Sequence, residues 1–563
     1  MEDNKINFLN DLFNIKRQEK LAFQFFMKKN FREAEIIYRQ IIDLPNLEEV
    51  SYFNFALICS QKGNLDEAST NIQKALEINP SNYDGIILLS NIYKKQNKLK
   101  EALFSLKKAQ KLRSNSYEIF NNMGNIYNSQ GLHKKAISSY KKALKIEPNA
   151  LVTLINLGLA LNDKGDSLEA IKIFQKAIKN DPKSEFPYYF LANLYKKENN
   201  LDLAILNYKK ALKINNNLIE ALSNLALSHS EKGDHTKSIT YFLDALKIDP
   251  ANKVINKNLG MEYLRIGKYQ EGWEKYEFRN INAPFNKNVQ RIETIEDKTH
   301  ENLMVISEQG LGDTIQFIRY IPYLIERGFK ITLFVEEKLH SLIKISNIHQ
   351  NPLSRGKATF LRQGYWLPLL SLPKFLNVSN SMPIITKPYI KSSKNLIDKW
   401  RLIFDKEKKP IIGINWQGNP NVEKEGVKGR SMKLEEFASI KKNTFKFLSL
   451  QKGYGSEQLS ICSFKDNFVS FQEIVNQSWD FLETVAIIEN CDLIITTDTC
   501  VAHLAGAIGK KTFLLLHSSS DWRWGINSEN TFWYPSIKLF RQKDKNNWHD
   551  VIEQLSLELN QEF

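Results

Sequence analysis

Residues 117–150 read YEIFNNMGNIYNSQGLHKKAISSYKKALKIEPNA, and residues 151–184 read LVTLINLGLALNDKGDSLEAIKIFQKAIKNDPKS. Laid one above the other, they match small on small and large on large. Gly124 meets Gly158, Ala136 meets Ala170, Tyr140 meets Phe174, Ala143 meets Ala177 and Pro148 meets Pro182. The same 34-residue spacing runs outward in both directions. One series holds Ala34, Ala68, Ala102, Ala136, Ala170 and Ala204, continued by Ser238 and Gly272. A large series in step with it holds Tyr38, Ile72, Leu106, Tyr140, Phe174, Tyr208, Phe242 and Tyr276. Gly63, Gly131, Gly165, Gly233 and Gly267 share a third position, where a first helix ends and the chain reverses. Proline then ends the second helix or starts the next turn. Each unit therefore reads as two short helices, with small residues where backbones approach. One unit alone cannot bury its apolar face, so the units must stack.

This period and pattern resemble tetratricopeptide repeats. The resemblance covers about 15–252 in seven units, with a degenerate eighth that ends near 286. It implies an α-solenoid over 15–286 whose concave groove takes a protein or peptide. Asn91, Asn125 and Asn193 share one position on the first helices, and Asn122, Asn156 and Asn224 another. Such ladders can bind an extended peptide backbone through paired amide hydrogen bonds.

The chain has 563 residues, which calls for about three or four units. Its net charge is +15. Residues 301–563 hold 33 basic and 28 acidic residues, or +5, which leaves 45 and 35, or +10, for residues 1–300. An excess spread over both halves reads as a solvated lysine-rich surface, and no nucleic-acid partner is expected. Cys59, Cys462, Cys491 and Cys500 form no CxxC pair, so neither a disulfide framework nor a zinc site is expected. The polar start MEDNKINFLNDLF has no secretory pattern, and no apolar run approaches the ~20 residues of a spanning helix. The expectation is a cytoplasmic protein with no membrane span.

All nine tryptophans lie at or beyond Trp273, which marks a change of domain type. Residues 287–300 read as a polar connector. Beyond 300, short apolar runs alternate with helical stretches. Candidate strands are 303–307, 331–335, 411–416, 446–450, 492–497 and 512–516. Continuous aliphatic runs of this kind suit parallel strands buried on both faces. Two groups of them predict two doubly wound lobes, 301–390 and 391–563, the second ending in a helix.

Several segments could carry chemistry. Glu308-Gln309-Gly310-Leu311-Gly312-Asp313 follows a strand directly. Gly310 and Gly312 permit a tight strand-to-helix turn, and Asp313 falls at the helix start, as a helix cap or as a general base. Asp498 and Thr499 open a second helix, whose free N–H groups could hold a diphosphate, with His503 one turn in. Asn415, Gln417 and the loop to Lys428 and Arg430 could clamp phosphate. Gln451, Lys452 and Glu457 lie in another strand-end loop, suited to a base or ribose. Asp521-Trp522-Arg523-Trp524 reads as a lid or lobe closure, and Cys500 as a bystander.

Together, SEQGLGDTIQFIRYIP, WQGNP with GRSM, SLQKG, DFLETVAIIENCDLIITTDTCVAHLAGAIGK and DWRW with WYPS and LFRQ resemble one family. It is the GT-B glycosyltransferases related to the heptosyltransferases of lipopolysaccharide synthesis (glycosyltransferase family 9), in the bacterial variant fused behind tetratricopeptide repeats. The resemblance implies a GT-B fold of two Rossmann-like lobes. It also implies inverting, metal-independent transfer of a hexosyl or heptosyl unit from a nucleotide-diphosphate sugar to a glycan or protein acceptor, with no other cofactor. By the same resemblance Asp313 would be the base, and Asp498, Thr499 and His503 would bind the donor with Arg430 or Lys428 as cation. A different expectation is a non-catalytic repeat scaffold whose second half only senses a nucleotide sugar. Asp313 across an open cleft from Asp498, Thr499 and Arg430 would favour transfer. A cleft blocked by side chains, or Asp313 buried in an ion pair, would rule transfer out.

Overall fold

Helices in the first half begin and end where the 34-residue pattern puts them. The computed structural model describes residues 2–44, 47–281, 288–293, 302–360, 363–425, 429–545 and 547–563. It divides into two compact units, Met1–Ala221 and Leu222–Phe563.

The first unit is made of helix pairs. Glu2–Met27 pairs with Phe31–Ile41, Glu49–Lys62 with Leu65–Ile78, and Tyr83–Lys95 with Leu99–Leu112. Tyr117–Ser129 pairs with His133–Ile146, Leu151–Lys164 with Ser167–Asn180, and Glu185–Lys197 with Leu201–Ile214. The turn inside each pair contains one left-handed residue. These are Lys29 (φ 59°), Gly63 (86°), Asn97 (60°), Gly131 (70°), Gly165 (95°) and Asn199 (62°). The glycine series is thus a conformational series, and asparagine, which tolerates this region, fills two of its gaps. The small-residue series has a separate cause. A Cβ on Gly124 would lie 2.4 Å from the Tyr140 ring, and one on Gly158 2.6 Å from Phe174. The core is a succession of clusters, one around Tyr38 and Ile72, the next around Leu106 and Met123, the next around Tyr140 and Phe174.

The second unit opens with helices of the same pattern, through Lys253–Arg265 and Tyr269–Tyr276. The division thus falls earlier than the expected end of the solenoid at 286. The reason is that Trp273 and Tyr276 belong to the α/β core. The Trp273 indole donates to the carbonyl of Val378 at 2.8 Å, and its ring meets Trp522 edge-on at 5.3 Å.

Two five-stranded parallel sheets follow. The first contains β1 (Val289–Arg291), β2 (Asn302–Ile306), β3 (Lys330–Val335), β4 (Leu353–Ser354) and β5 (Gly364–Pro368), in the order β1-β5-β2-β3-β4. The second contains β6 (Ile411–Asn415), β7 (Lys446–Ser449), β8 (Leu493–Thr497), β9 (Thr512–Leu516) and β10 (Ile537–Arg541), in the order β10-β9-β8-β6-β7. β1 corrects one expectation. Residues 289–291 are not connector but an edge strand paired with β5, since Val289 points a buried side chain into the sheet. The rest of the expected connector, 287 and 294–300, lies outside the described residues.

Each sheet reverses strand order once. β2 has β5 on one side and β3 on the other, and β6 lies between β8 and β7. In such sheets a crevice opens beyond the carboxyl ends of the strands at the reversal. One apolar core joins both lobes, and the terminal helix His549–Glu562 covers the far face of the second sheet. Among the described residues, no helix is long and apolar enough to cross a membrane, and no group of three or more His, Cys, Asp or Glu could hold a metal ion.

Candidate functional site

The two reversal points come together at the starts of two helices. β2 leads through Ser307–Gly310 into Leu311–Phe317, and β8 leads through Asp498 and Thr499 into Cys500–Ile508. The helices touch at Gly312. A Cβ there would lie 2.8 Å from His503 Cδ2 and 3.6 Å from Cys500 Cα. Gly312 therefore permits an approach between helices. Gly310 caps the first helix, and its N–H donates to Asp313 Oδ2 at 3.0 Å.

Asp313 has a second partner. Its Oδ1 receives Arg523 Nη2 in an ion pair, while Arg523 Nη1 reaches Asp521 at 2.7 Å and Arg523 Nε donates to buried Gln316 Oε1 at 2.8 Å. The Arg523 side chain is 8% exposed and that of Asp313 22%. Burial raises the Asp313 pKa despite the Arg523 charge. Burial would also raise that of Asp521, but the guanidinium beside it holds it below the usual range.

Across from this pair, Thr499 caps the second helix. Its Oγ1 accepts from the N–H of Val501 at 3.3 Å and donates to Asn415 Oδ1 at 2.8 Å, across the β6–β8 reversal. Burial, then the Asp521 carboxylate, push Asp498 up to about 6. His503 is buried, shares a 3.0 Å hydrogen bond with Tyr534 and stacks on Trp524. Burial, then the Arg523 and Arg319 charges, push it down to about 3, so its ring is neutral. Burial also raises Cys500, away from a thiolate. Arg430 packs over Gly418 and lies 3.4 Å from Glu423, and its charge is felt at Asp313, Asp498 and Cys500. Lys428 lies outside the described residues.

The other expected residues divide. Buried Gln451 accepts from Asn415 Nδ2 and from the N–H groups of Trp416 and Gln417, and donates to the carbonyls of Gln417 and Tyr454. It ties two strand-end loops together. The Gln417 side chain accepts from Gln458 Nε2 at 3.1 Å. Lys452 donates to the carbonyl of Val475, and burial pushes it down to about 8. Glu457 is exposed on the turn Ser456–Ser460.

Three positions had no site role assigned from the sequence. Arg523 was hidden in an aromatic-looking DWRW segment, yet it centres the carboxylates. Arg319 is almost wholly buried. It donates to the carbonyls of Gln316, Ile385 and Trp533 and to Tyr389 OH, which binds both lobes together. Glu308, also buried, takes Arg279 at 2.6 Å, an arginine just beyond the helix Tyr269–Tyr276.

Family models for the tetratricopeptide repeat match residues 50–82, 83–116, 117–150, 152–184, 192–233 and 219–252. These segments are tetratricopeptide repeats. Of the asparagines on their first helices, Asn125 and Asn193 are occupied by the hydroxyls of Tyr140 and Tyr208, at 2.8 and 2.5 Å, and so serve the fold. The chain is similar to protein FlbA of Caulobacter vibrioides, 24% identical over 328 residues that cover 53% of each chain. It is also similar to a DnaJ homolog subfamily C member 7 homolog of Schizosaccharomyces pombe, 33% identical over 100 residues, 16% of this chain and 21% of that one. The chain thus spans about half the length of the first relative and a fifth of the second. Among solved structures it is similar to pilF of Pseudomonas aeruginosa, at 22% identity and a TM-score of 0.32, covering 36% of this chain and 93% of that one. A tetratricopeptide repeat protein of Parabacteroides merdae has 17% identity and a TM-score of 0.38, covering 44% and 98%.

Proposed function

We propose that the second unit is an inverting, metal-independent GT-B glycosyltransferase, and that the repeats recruit its acceptor or a partner enzyme. The observation that carries this reading is the meeting of the two reversal points, which sets Asp313 beside the helix start at Asp498 and Thr499. The start of Cys500–Ile508 and Arg430 offer the positive potential that a departing nucleotide diphosphate needs. Asp313, raised by burial, is a better proton acceptor than a surface carboxylate. In the proposed step an acceptor oxygen bonds to the sugar's anomeric carbon from the face opposite the diphosphate. The bond to the diphosphate oxygen breaks with its electron pair, and the acceptor proton passes to Asp313. Neutral His503 would act as a hydrogen-bonding wall. Four free cysteines support a cytoplasmic setting.

Nucleotide sugars screened by thermal shift, followed by transfer assays on Asp313→Ala, test this reading. Donor binding retained with transfer lowered about 10²–10⁴-fold is the expected result. The Arg523–Asp313 pair counts against transfer and for the second reading, a nucleotide-sugar-sensing scaffold, because a carboxylate held by a guanidinium accepts a proton less readily; transfer stays open because the Asp313 side chain keeps 22% of its surface exposed. Donor binding by the wild type without transfer to any acceptor would establish the scaffold. No donor binding at all would end both readings of the second unit.

A further inference from the structure

The repeats of the first unit form an open groove of about 460 Å³ along their first helices. Its floor is apolar, from Phe53, Leu57, Ile87 and Leu88. Neighbouring first helices are in contact there, since Asn156 Nδ2 donates to Asn121 Oδ1 at 3.1 Å. Two carboxylates, Asp84 and Glu118, rise from this floor at the same repeat position, 34 residues apart.

Two carboxylates one position earlier on the first helices are already used: Glu49 accepts from Asn79 and Asn82, and Glu185 accepts from Asn215. Asp84 and Glu118 are exposed, and among the described residues their side chains have neither an ion-pair nor a hydrogen-bond partner. The repeats on either side carry exposed Val50 and Val152 at this position, followed in the series by exposed Phe186 and then Glu220. An independent sign comes from Thr153. It lines the groove, is fully buried, and its hydroxyl has no hydrogen-bond partner. An unpaired buried hydroxyl is costly, so the wall beside the two carboxylates is left incompletely satisfied in the unliganded chain.

We infer that this groove binds an extended peptide segment that carries lysine or arginine between apolar residues. The inference rests on the reading that the repeats recruit a polypeptide, and it names that polypeptide's chemistry. Packed helices stand roughly 10 Å apart. An extended chain advances about 3.3 Å per residue and alternates its side chains between two faces, so basic side chains two positions apart share a face and, with their own reach, meet both carboxylates. Apolar residues on the peptide cover Val50, Val152 and the floor, while Asn91 and Asn122 offer hydrogen bonds to its backbone. An acidic groove in a half with net charge +10 also draws a basic ligand to this face in preference to its lysine-rich surroundings.

The test uses the full chain and three labelled synthetic peptides of alternating leucine and lysine, leucine and glutamine, or leucine and glutamate, with binding read by fluorescence anisotropy. The lysine peptide is expected to bind at least about tenfold tighter than the glutamine peptide, and less tightly as salt rises. The double variant Asp84→Lys, Glu118→Lys, altered only at exposed positions, should invert the order of lysine and glutamate peptides. A lysine preference that survives the double variant overturns the inference, as does no preference in the wild type. Random-peptide display separates the two layers. Binders that Asn91→Trp blocks but that lack basic residues would overturn the inference and leave recruitment standing. No binder sensitive to Asn91→Trp would remove both.

Discussion

The repeats and the α/β half bring residues together in different ways. In the repeats, Tyr140 finds Asn125 fifteen residues away, and Asn156 finds Asn121 thirty-five away. In the α/β half, Arg523 reaches Asp313 across 210 residues, and Arg319 reaches Trp533 across 214. The first arrangement is a local rule applied again at each turn, with its chemistry spread along a face. The second gathers charge where strand order reverses. A ligand of the repeats should therefore be long and met by many weak contacts. A ligand of the second unit should be small and met by a few buried groups.

The largest expected effect tests that contrast with one substitution in each region. Arg523→Gln would leave Asp313 and Asp521 without their buried cation, at a cost of about 3–5 kcal/mol. Arg39→Gln removes a cation that also holds two carboxylates, Glu35 and Glu67, but its own side chain is 45% exposed. Solvent screening should keep that cost below about 1 kcal/mol. Urea unfolding followed at tryptophan reports the second unit alone, because every tryptophan lies at or beyond residue 273. Equal losses for the two variants, with far-ultraviolet circular dichroism reporting the repeats, would break the contrast.

What the sequence disclosed follows the same division. Helix pairs, their turns and the close approach at Gly124 were legible because each recurs at a fixed interval. Six strands were legible as continuous apolar runs. β5 was not, because Gly364 and Pro368 interrupt its run, nor was β10, whose Lys538 and Arg541 stand among buried residues. The motifs at Gly312-Asp313 and Asp498-Thr499 were legible as strand-to-helix turns. Arg523 was not, since no spacing rule connects residues that only the parallel topology brings together. Gln451 was legible only as polar, because a polar residue at a strand end can serve a ligand or a loop, and its five hydrogen bonds to the two loops carried no sequence signal.

An intermediate effect concerns pH. His503 and His517 sit near 3 and 4 in the folded chain, both through burial, against about 6.5 when unfolded. Below about pH 6.5 the unfolded chain takes protons that the folded one refuses, so the second unit loses up to about 1.4 kcal/mol per histidine per pH unit. Asp498, near 6 when folded and about 3.9 when unfolded, acts oppositely and regains part of this loss between pH 6 and 4. Burial works against the lowered Glu35 and Glu67 of the first unit, but Lys62 and Arg39 hold both down, and their contribution is lost only below about pH 4.5. Between pH 7 and 5, the tryptophan-reported transition should therefore weaken while the repeats hold. The double variant His503→Gln, His517→Gln should flatten that fall, and an unchanged slope would remove the histidines as its cause.

The smallest effect separates two reasons for glycine. Gly312 has an ordinary backbone but no room, because a Cβ would press on His503. Gly131 has open space around it but a left-handed backbone at φ 70°. A substitution at Gly131 therefore measures backbone strain with no steric contribution. Gly131→Ala should cost the first unit about 1 kcal/mol, and Gly131→Asn only a few tenths, because Asn97 and Asn199 already occupy the equivalent turns. The reciprocal change Asn97→Gly should be close to neutral, since the strain it relieves is offset by greater freedom in the unfolded chain. Equal costs for alanine and asparagine at Gly131, measured by urea unfolding of the repeats, would mean that the side-chain amide gives no help at φ > 0. The two asparagines in the series would then owe their place to something other than the turn.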